Sequence, residues 1–248
     1  MDPTKYTFIA HRGMAHCNPI SPAKADQVIE LLSLARSDRV LDVGCGKAEL
    51  LIRILERYGC RGLGVDRSTS MIRAAVEEAS HRGVADRLEL LESDAAQLGG
   101  EPGGYAAASC LGASDALGGF QAALERLAAW VRPGGLVLIG EGYWQREPAA
   151  EYLAAFGATR DDYLTHAGCV GAGVSLGLVP YYAVTSTTDE WDRYEWLHAR
   201  NVELFAVENP GDPDVPALLS RRRAWRDLYL TWGRETLGFG LYLFRKPG

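Results

Sequence analysis

The sequence contains no Cys-x-x-Cys pair, and its five cysteines, Cys17, Cys45, Cys60, Cys110 and Cys169, are scattered and odd in number. That spacing excludes a zinc ribbon and argues against a disulfide framework; it suits a reducing compartment. No metal site is expected. Long apolar runs are also missing: no stretch approaches the roughly 20 apolar residues of a membrane span, and Met1–Gly13 has no signal-like apolar core. A cytoplasmic location with no membrane partner is therefore expected. Excess positive charge is lacking too, since 26 Lys and Arg face 32 Asp and Glu for a net charge of −6. A nucleic-acid binder needs a basic face, so no nucleic-acid partner is expected, and the Arg221–Arg223 run reads as a solvated helix face. There is no internal repeat and no Gly-Lys-Ser/Thr, which removes solenoids and P-loops.

What is present is a regular alternation. Ser21-Pro22 reads as a helix start, with Val28, Leu31, Leu32 and Ala35 on one buried face. Arg39–Val43 is a short apolar strand that stops in Gly44-Cys45-Gly46, and Glu49–Tyr58 resumes helical spacing. The cycle repeats with strands at Gly62–Val65, Arg87–Leu91, Tyr105–Leu111 and Leu136–Gly140, and helices at Ser70–His81 and Phe120–Val131. Further on, Ala149–Phe156 and Tyr163–Leu176 read as helices, and Leu178–Ser186 and Phe239–Arg245 as strands. Asp189–Leu237 holds four of the six tryptophans, Trp191, Trp196, Trp225 and Trp232, and is helix-like. The Asn209–Pro213 stretch breaks it in two. This pattern predicts an α/β fold: a Rossmann-like, mostly parallel seven-stranded sheet with helices on both faces and a helical insertion between the last two strands. The expected organisation is one domain over 1–248. It has an N-terminal arm at 1–20, a cofactor-binding core at 36–142 and an insertion or lid at 189–237.

The segment Val40–Glu49 carries the chemistry. Glycines directly after a strand let the backbone approach a bound nucleotide where a side chain would collide. Asp66 ends the next strand, 20 positions after Gly46, where a carboxylate can accept both hydroxyls of a ribose. The pattern is not the dinucleotide G-x-G-x-x-G, because Glu49 stands where the third glycine belongs. An acid, Asp42, precedes the glycines; it would repel a pyrophosphate and attract an ammonium. That sign argument favours a sulfonium amino-acid cofactor over NAD.

Leu41–Gly46 resembles the D-x-G-x-G signature of class I S-adenosylmethionine (SAM) dependent methyltransferases. Asp66, Ser93-Asp94-Ala95 and Arg132-Pro133-Gly134-Gly135 follow in that family's order, over roughly residues 36–142. Further along, the chain is similar to small bacterial stand-alone methyltransferases of unassigned substrate. The resemblance implies SAM as cofactor and S-adenosylhomocysteine (SAH) as product. It implies Gly44 and Gly46 against the methionine part, Asp66 on the ribose, and Asp94 with Ala95 at the adenine. Asp42, Cys45, Arg67, Met71 and Leu111 complete the expected cofactor set. The departure is Ala48, where the family often has a third glycine.

Methyl transfer is an in-line displacement that proximity and desolvation accelerate, with a base needed only where the acceptor must lose a proton. Ligands in open α/β sheets lie beyond the carboxyl ends of the strands, which places Cys110–Ser114 and Glu141–Trp144 near the reacting methyl. The candidate bases are His16, in an arm that also carries His11, and Glu141. Gly112, Tyr143, Trp144, Trp191 and Tyr194 are the candidate acceptor-binding residues, with Trp191–Glu195 the candidate lid. Leu111–Ser114 lacks the amide of the N-P-P-Y/F sequence, so adenine and glutamine methylation lose support. The expected activity is transfer to O, N or S of a small molecule by a monomer or homodimer. The alternatives are a SAM-binding regulatory module without turnover and an NAD(P)-dependent oxidoreductase.

Overall fold

A computed structural model describes residues 3–99 and 101–248; Met1 and Asp2 of the arm, and Gly100, lie outside the described residues. The chain opens with helix α1 (Pro3–Ala10) and, after a loop, α2 (Pro22–Glu30). Ser21 caps α2 by accepting a hydrogen bond from the Lys24 amide, and Pro22 occupies the first turn, where its missing N–H has no cost. Then β1 (Arg39–Val43), α3 (Glu49–Tyr58), β2 (Arg61–Asp66), α4 (Thr69–His81), β3 (Leu88–Glu92), β4 (Tyr105–Leu111), α5 (Phe120–Trp130) and β5 (Val131–Trp144) alternate. The last third holds α6 (Ala150–Phe156), α7 (His166–Ser175), β6 (Val179–Thr185), α8 (Thr188–Glu208), α9 (Val215–Leu228) and β7 (Leu237–Arg245).

The seven strands form one sheet in the order β3-β2-β1-β4-β5-β7-β6. The β3-β2-β1-β4-β5 pairs are parallel, and β7 runs antiparallel between β5 and β6. Strand order reverses between β1 and β4, and the crevice at that reversal is where such sheets bind ligands. Alternate residues of the central strands enter opposite cores. Val40, Leu136, Leu138, Leu241 and Leu243 join a cluster that includes Leu51 and Leu55 of α3. Leu41, Val137, Ile139, Tyr242 and Phe244 join one that includes Leu124 and Leu127 of α5. The period of two along each strand, with both faces covered, produces the near-continuous apolar runs read in the sequence.

Three local readings change. Helix α2 stops at Glu30, and Ser33 takes a left-handed φ of 48°, so Ala35 falls outside the helix and is exposed. The N-terminal arm begins as a helix: Ile9 and Ala10 of α1 are buried with Val202 of α8 and Leu218 of α9. Finally, β5 is far longer than Leu136–Gly140. The Arg132–Gly135 turn is a bulge inside it, where pairing jumps from Tyr105–Val131 to Ala107–Leu136. Gly135 is required there, since a Cβ would lie 2.6 Å from the Ala106 carbonyl oxygen. At the other end, β5 stays paired with β7 through Tyr143–Gly238 and Trp144–Leu237.

Candidate active site

At the reversal point the loop after β1 is fastened by its own backbone. The Gly44 and Cys45 amides donate to the Val65 carbonyl at 2.8 and 3.0 Å. The Gly46 amide donates to Asp66 Oδ2 at 2.9 Å, and the Ser68 amide to Asp66 Oδ1 at 2.8 Å. Gly44 has φ +68°, and a Cβ on it would stand 2.4 Å from the Ala113 Cβ of the loop after β4. Only glycine meets both demands. Ala48 adopts a left-handed φ of 57° and is fully buried, which explains in backbone terms why a glycine suits that position.

Above this loop lies a cavity of about 470 Å³, shaped by the ends of β1, β2, β3 and β4. Gly44, Gly46, Asp66, Arg67, Met71, Asp94, Ala95, Leu111 and Gly112 line it, together with Tyr194 of α8. Two residues expected there do not. Asp42 is buried beneath the loop, 4% exposed, and accepts a 2.7 Å hydrogen bond from the Ser109 hydroxyl. Burial pushes its carboxyl up to about 7, against the pull of that hydrogen bond. The Cys45 side chain turns inward, its Sγ 2.9 Å from where a Gly64 Cβ would be, so Cys45 offers only backbone to the loop.

The arm crosses this cavity, and Thr4, Thr7, His11 and Cys17 form part of its wall. Lys47, in the glycine loop, holds the arm down by donating to the carbonyls of Met14 and, at 3.1 Å, His11. The His11 ring meets the Thr7 carbonyl through Nδ1 at 2.8 Å, which assigns the proton to Nδ1 and leaves Nε2 as an acceptor. Burial lowers its pKa to about 4, so the ring is neutral. The Tyr194 hydroxyl stands between His11 Nε2, 3.0 Å away, and the Cys17 carbonyl, 3.2 Å away: two acceptors share one proton.

His16 does not line this cavity. It is buried, 8% exposed, on the side of a separate space between the arm and α8, and its charge environment comes from Glu49, Arg53, Asp26 and Lys47. The arm turns at Gly13, so its two histidines face different ways, and His11 is the one at the site. Sequence spacing alone could not distinguish them.

Glu141 ends in a second cavity, of about 610 Å³, which adjoins the first through Asp115. It accepts a short hydrogen bond from the Ser114 hydroxyl and one of 2.9 Å from the Gly142 amide, and burial raises its pKa. Tyr143 and Trp144 line neither cavity. Tyr143 lies across Gly238, whose Cβ would fall 2.4 Å from the Tyr143 Cζ, and it is 7% exposed in the core. The Trp144 indole donates to the Arg160 carbonyl at 2.8 Å and packs on Tyr152 and Tyr163. Trp191 packs against Phe239, away from the cavities. Tyr143 and Trp144 are core, because pairing with β7 continues past the site and buries the end of β5; Trp191, on α8, is half-buried against the same β7. Asp115 escaped notice in the sequence; its signal was its place just beyond the carboxyl end of β4.

The glycine cradle, the Asp66 carboxylate at the end of β2 and the Asp94 carboxylate after β3 suit an adenosine-bearing amino acid. A dinucleotide fits poorly, since Glu49 occupies the first turn of α3 and is paired with Arg53 and Arg82. Comparison with known proteins agrees. Residues 40–135 match the methyltransferase-domain family model. YjhP of Escherichia coli (strain K12), an uncharacterised protein, is 34% identical over 233 residues, covering 91% of each chain. A SAM-dependent methyltransferase from Geobacter sulfurreducens, solved with S-adenosyl-L-homocysteine, superposes with a TM-score of 0.89 at 29% identity, covering 97% of each chain. The 27-O-demethylrifamycin SV methyltransferase of Amycolatopsis mediterranei (strain S699) is 25% identical, covering 90% of this chain and 82% of its own. The chain belongs to the class I SAM-dependent methyltransferases. SAM is its cofactor, and the oxidoreductase alternative falls.

Proposed function

We propose that this enzyme methylates a nucleophilic O, N or S atom of a small molecule in a pocket closed by the arm and the helical layer of α8 and α9. The observation that carries this is the arm itself. Tied down by Lys47, it walls a pocket-sized space of about 470 Å³ at the strand ends, next to one of about 610 Å³, and spaces of that size suit a small molecule. A relative named for methylating a small molecule, 27-O-demethylrifamycin SV, supports the same reading. Among the described residues no helix is long and apolar enough to cross a membrane.

In this reading Gly44 and Gly46 carry the methionine part, Asp66 the ribose hydroxyls, and Asp94, Ala95 and Met71 the adenine. Bound there, SAM supplies a sulfonium methyl: its carbon bonds to the acceptor lone pair as the S–CH3 bond breaks and SAH leaves. Glu141 takes the acceptor's proton where there is one to lose. Its raised pKa makes it a stronger base than an exposed carboxylate, and Ser114 and the Gly142 amide hold it in place. Tyr194 and His11 position the acceptor beside the arm.

The test incubates the enzyme with isotopically methyl-labelled SAM and a cell extract, then separates small molecules from protein and nucleic acid. Label in the small-molecule fraction is expected; label confined to macromolecules sinks the proposal. SAM binding with no transfer to any fraction would favour a regulatory module. Once an acceptor is known, Glu141→Gln should lower kcat by about 10- to 100-fold with little change in SAH affinity. The wild-type rate should fall as pH drops through the raised Glu141 pKa, because only the carboxylate can accept a proton. An unchanged kcat in the variant would remove Glu141 from the mechanism.

A further inference from the structure

Glu141 opens into the cavity of about 610 Å³ that meets the cofactor cavity at Asp115, a residue lining both. A methyltransferase must seat its acceptor beside the sulfonium, and this space holds the group assigned as the acceptor's base. Its volume is that of a small-molecule pocket.

The lining carries charge of one sign. Asp115 after β4, Glu141 on β5, and Asp161 and Asp162 in the turn between α6 and α7 line it, with no Lys, Arg or His among its residues. The cofactor cavity, by contrast, sets Arg67 beside Asp66 and Asp94. Arg160, next to Asp161 in the chain, pairs with Glu147 instead. Glu141 accepts from the Ser114 hydroxyl and the Gly142 amide, and Asp162 from the Thr159 amide; none of these bonds brings a positive charge. The carboxylates act on one space: burial, then the charges of Glu141, Asp115 and Asp162, push the Tyr163 phenol up to about 12.

Like charges around a common space destabilise one another, and a cation there relieves them together. Among the described residues no three His, Cys, Asp or Glu side chains are grouped to hold a metal ion. The acids are spread over three segments of the wall, around a space wide enough for an organic cation. Phe120, Phe156 and Tyr163 supply apolar surface between them, Phe156 and Tyr163 lying parallel with ring centroids 6.1 Å apart. Aromatic faces attract an ammonium and cover the hydrocarbon body that carries it.

We propose that this cavity is the acceptor pocket and that the acceptor is an organic amine, bound as its ammonium. This rests on the methyltransferase reading and narrows its O, N or S to nitrogen. The ammonium gives a proton to Glu141. The freed lone pair forms the N–C bond to the methyl carbon of SAM as the S–CH3 bond breaks, and the electrons of that bond stay on sulfur. SAH leaves uncharged at sulfur, the methylated nitrogen keeps one positive charge, and Glu141 passes its proton to water.

The experiment titrates the SAH-loaded full chain by calorimetry with phenethylamine, phenethyl alcohol and hydrocinnamate, which are similar in size and differ in charge. Phenethylamine should bind about tenfold or more tightly than the alcohol, and the carboxylate should not bind. Asp161→Lys, at an exposed position of the wall, should weaken phenethylamine by about fivefold or more while SAH binds normally. With methyl-labelled SAM and a cell extract, the labelled small molecule should migrate as a cation at neutral pH, resolved from SAM by mass. The proposal is overturned if the alcohol or the carboxylate binds as well as the amine, if Asp161→Lys leaves amine affinity intact, or if the labelled product is neutral or anionic. If no probe binds while SAH does, the charge of the labelled product decides. Label confined to macromolecules would instead strike the proposed function, and failure of SAH to bind would strike the methyltransferase reading.

Discussion

The cofactor end and the helical layer are built by opposite means. At the cofactor end the work is done by backbone: amides of Gly44, Cys45 and Gly46, a left-handed Ala48, and one carboxylate, Asp66, tied to two of the surrounding N–H groups. The helical layer is joined instead by side chains from segments far apart in sequence, among them Tyr6, Phe156, Tyr194, Arg222 and Trp232, which wall one cavity. A backbone cradle suits what every turnover shares. Side chains of the helical layer can change without disturbing the sheet, so that layer is free to vary where the cradle is not.

The comparison breaks most sharply at Arg222. Arg222→Met leaves Glu195 buried and uncompensated, which should cost about 3–5 kcal/mol and lower the melting temperature by roughly 6–20 °C. SAH affinity, measured on the folded variant by calorimetry, should hold; a parallel loss would show that the two regions are one binding unit. Next in size is Asp66→Ala. It removes the ribose acceptor and frees the Gly46 and Ser68 amides, so SAH should bind about 100-fold more weakly, or ~2.7 kcal/mol. Retention of affinity within a few-fold would undo the assignment of that cavity.

Asp42 sharpens the contrast by pH. Its folded pKa, about 7, lies above the ordinary carboxylate value, so the folded state binds the proton more tightly than the unfolded state. Its contribution is therefore full below about pH 4 and is lost as pH rises towards and through 7. Asp42→Asn cannot ionise, and it should gain roughly 1–2 kcal/mol over wild type between pH 5 and 8, followed by thermal melts. A flat difference across that range would mean that the carboxyl is already charged. Smallest is Ala48→Gly, where relief of the left-handed strain and loss of a buried methyl oppose each other. Stability should move by less than about 1 kcal/mol in denaturant titration.

The same division explains what could be read from the chain alone. The sheet was legible because both faces of β1, β4, β5 and β7 are buried, which writes continuous apolar runs, and because Gly44, Gly46 and Asp66 fall at fixed offsets from strand ends. The acceptor side was not. Tyr143 and Trp144 follow Glu141 after a single glycine, yet pairing with Gly238 and Leu237 carries them into the core. His16 and His11 looked alike until the turn at Gly13 sent them apart. Arg222 sat in a run that reads as a solvated face; its burial against Glu195 is a long-range fact that no local period announces. Asp42, with the right charge in the right place, proved to lie under the floor of the site.

Gly44 and Ala113 come from the loops after β1 and β4, the two strands that flank the reversal. The room between them is one hydrogen atom and one methyl wide. The crevice thus has a built-in gauge made of two side chains with no polar atom. Any residue but glycine at 44 would pry the loops apart. The spacing of the two loops is therefore set where nothing can form a side-chain hydrogen bond, and a change at one of these positions is tolerable only if the other shrinks to match.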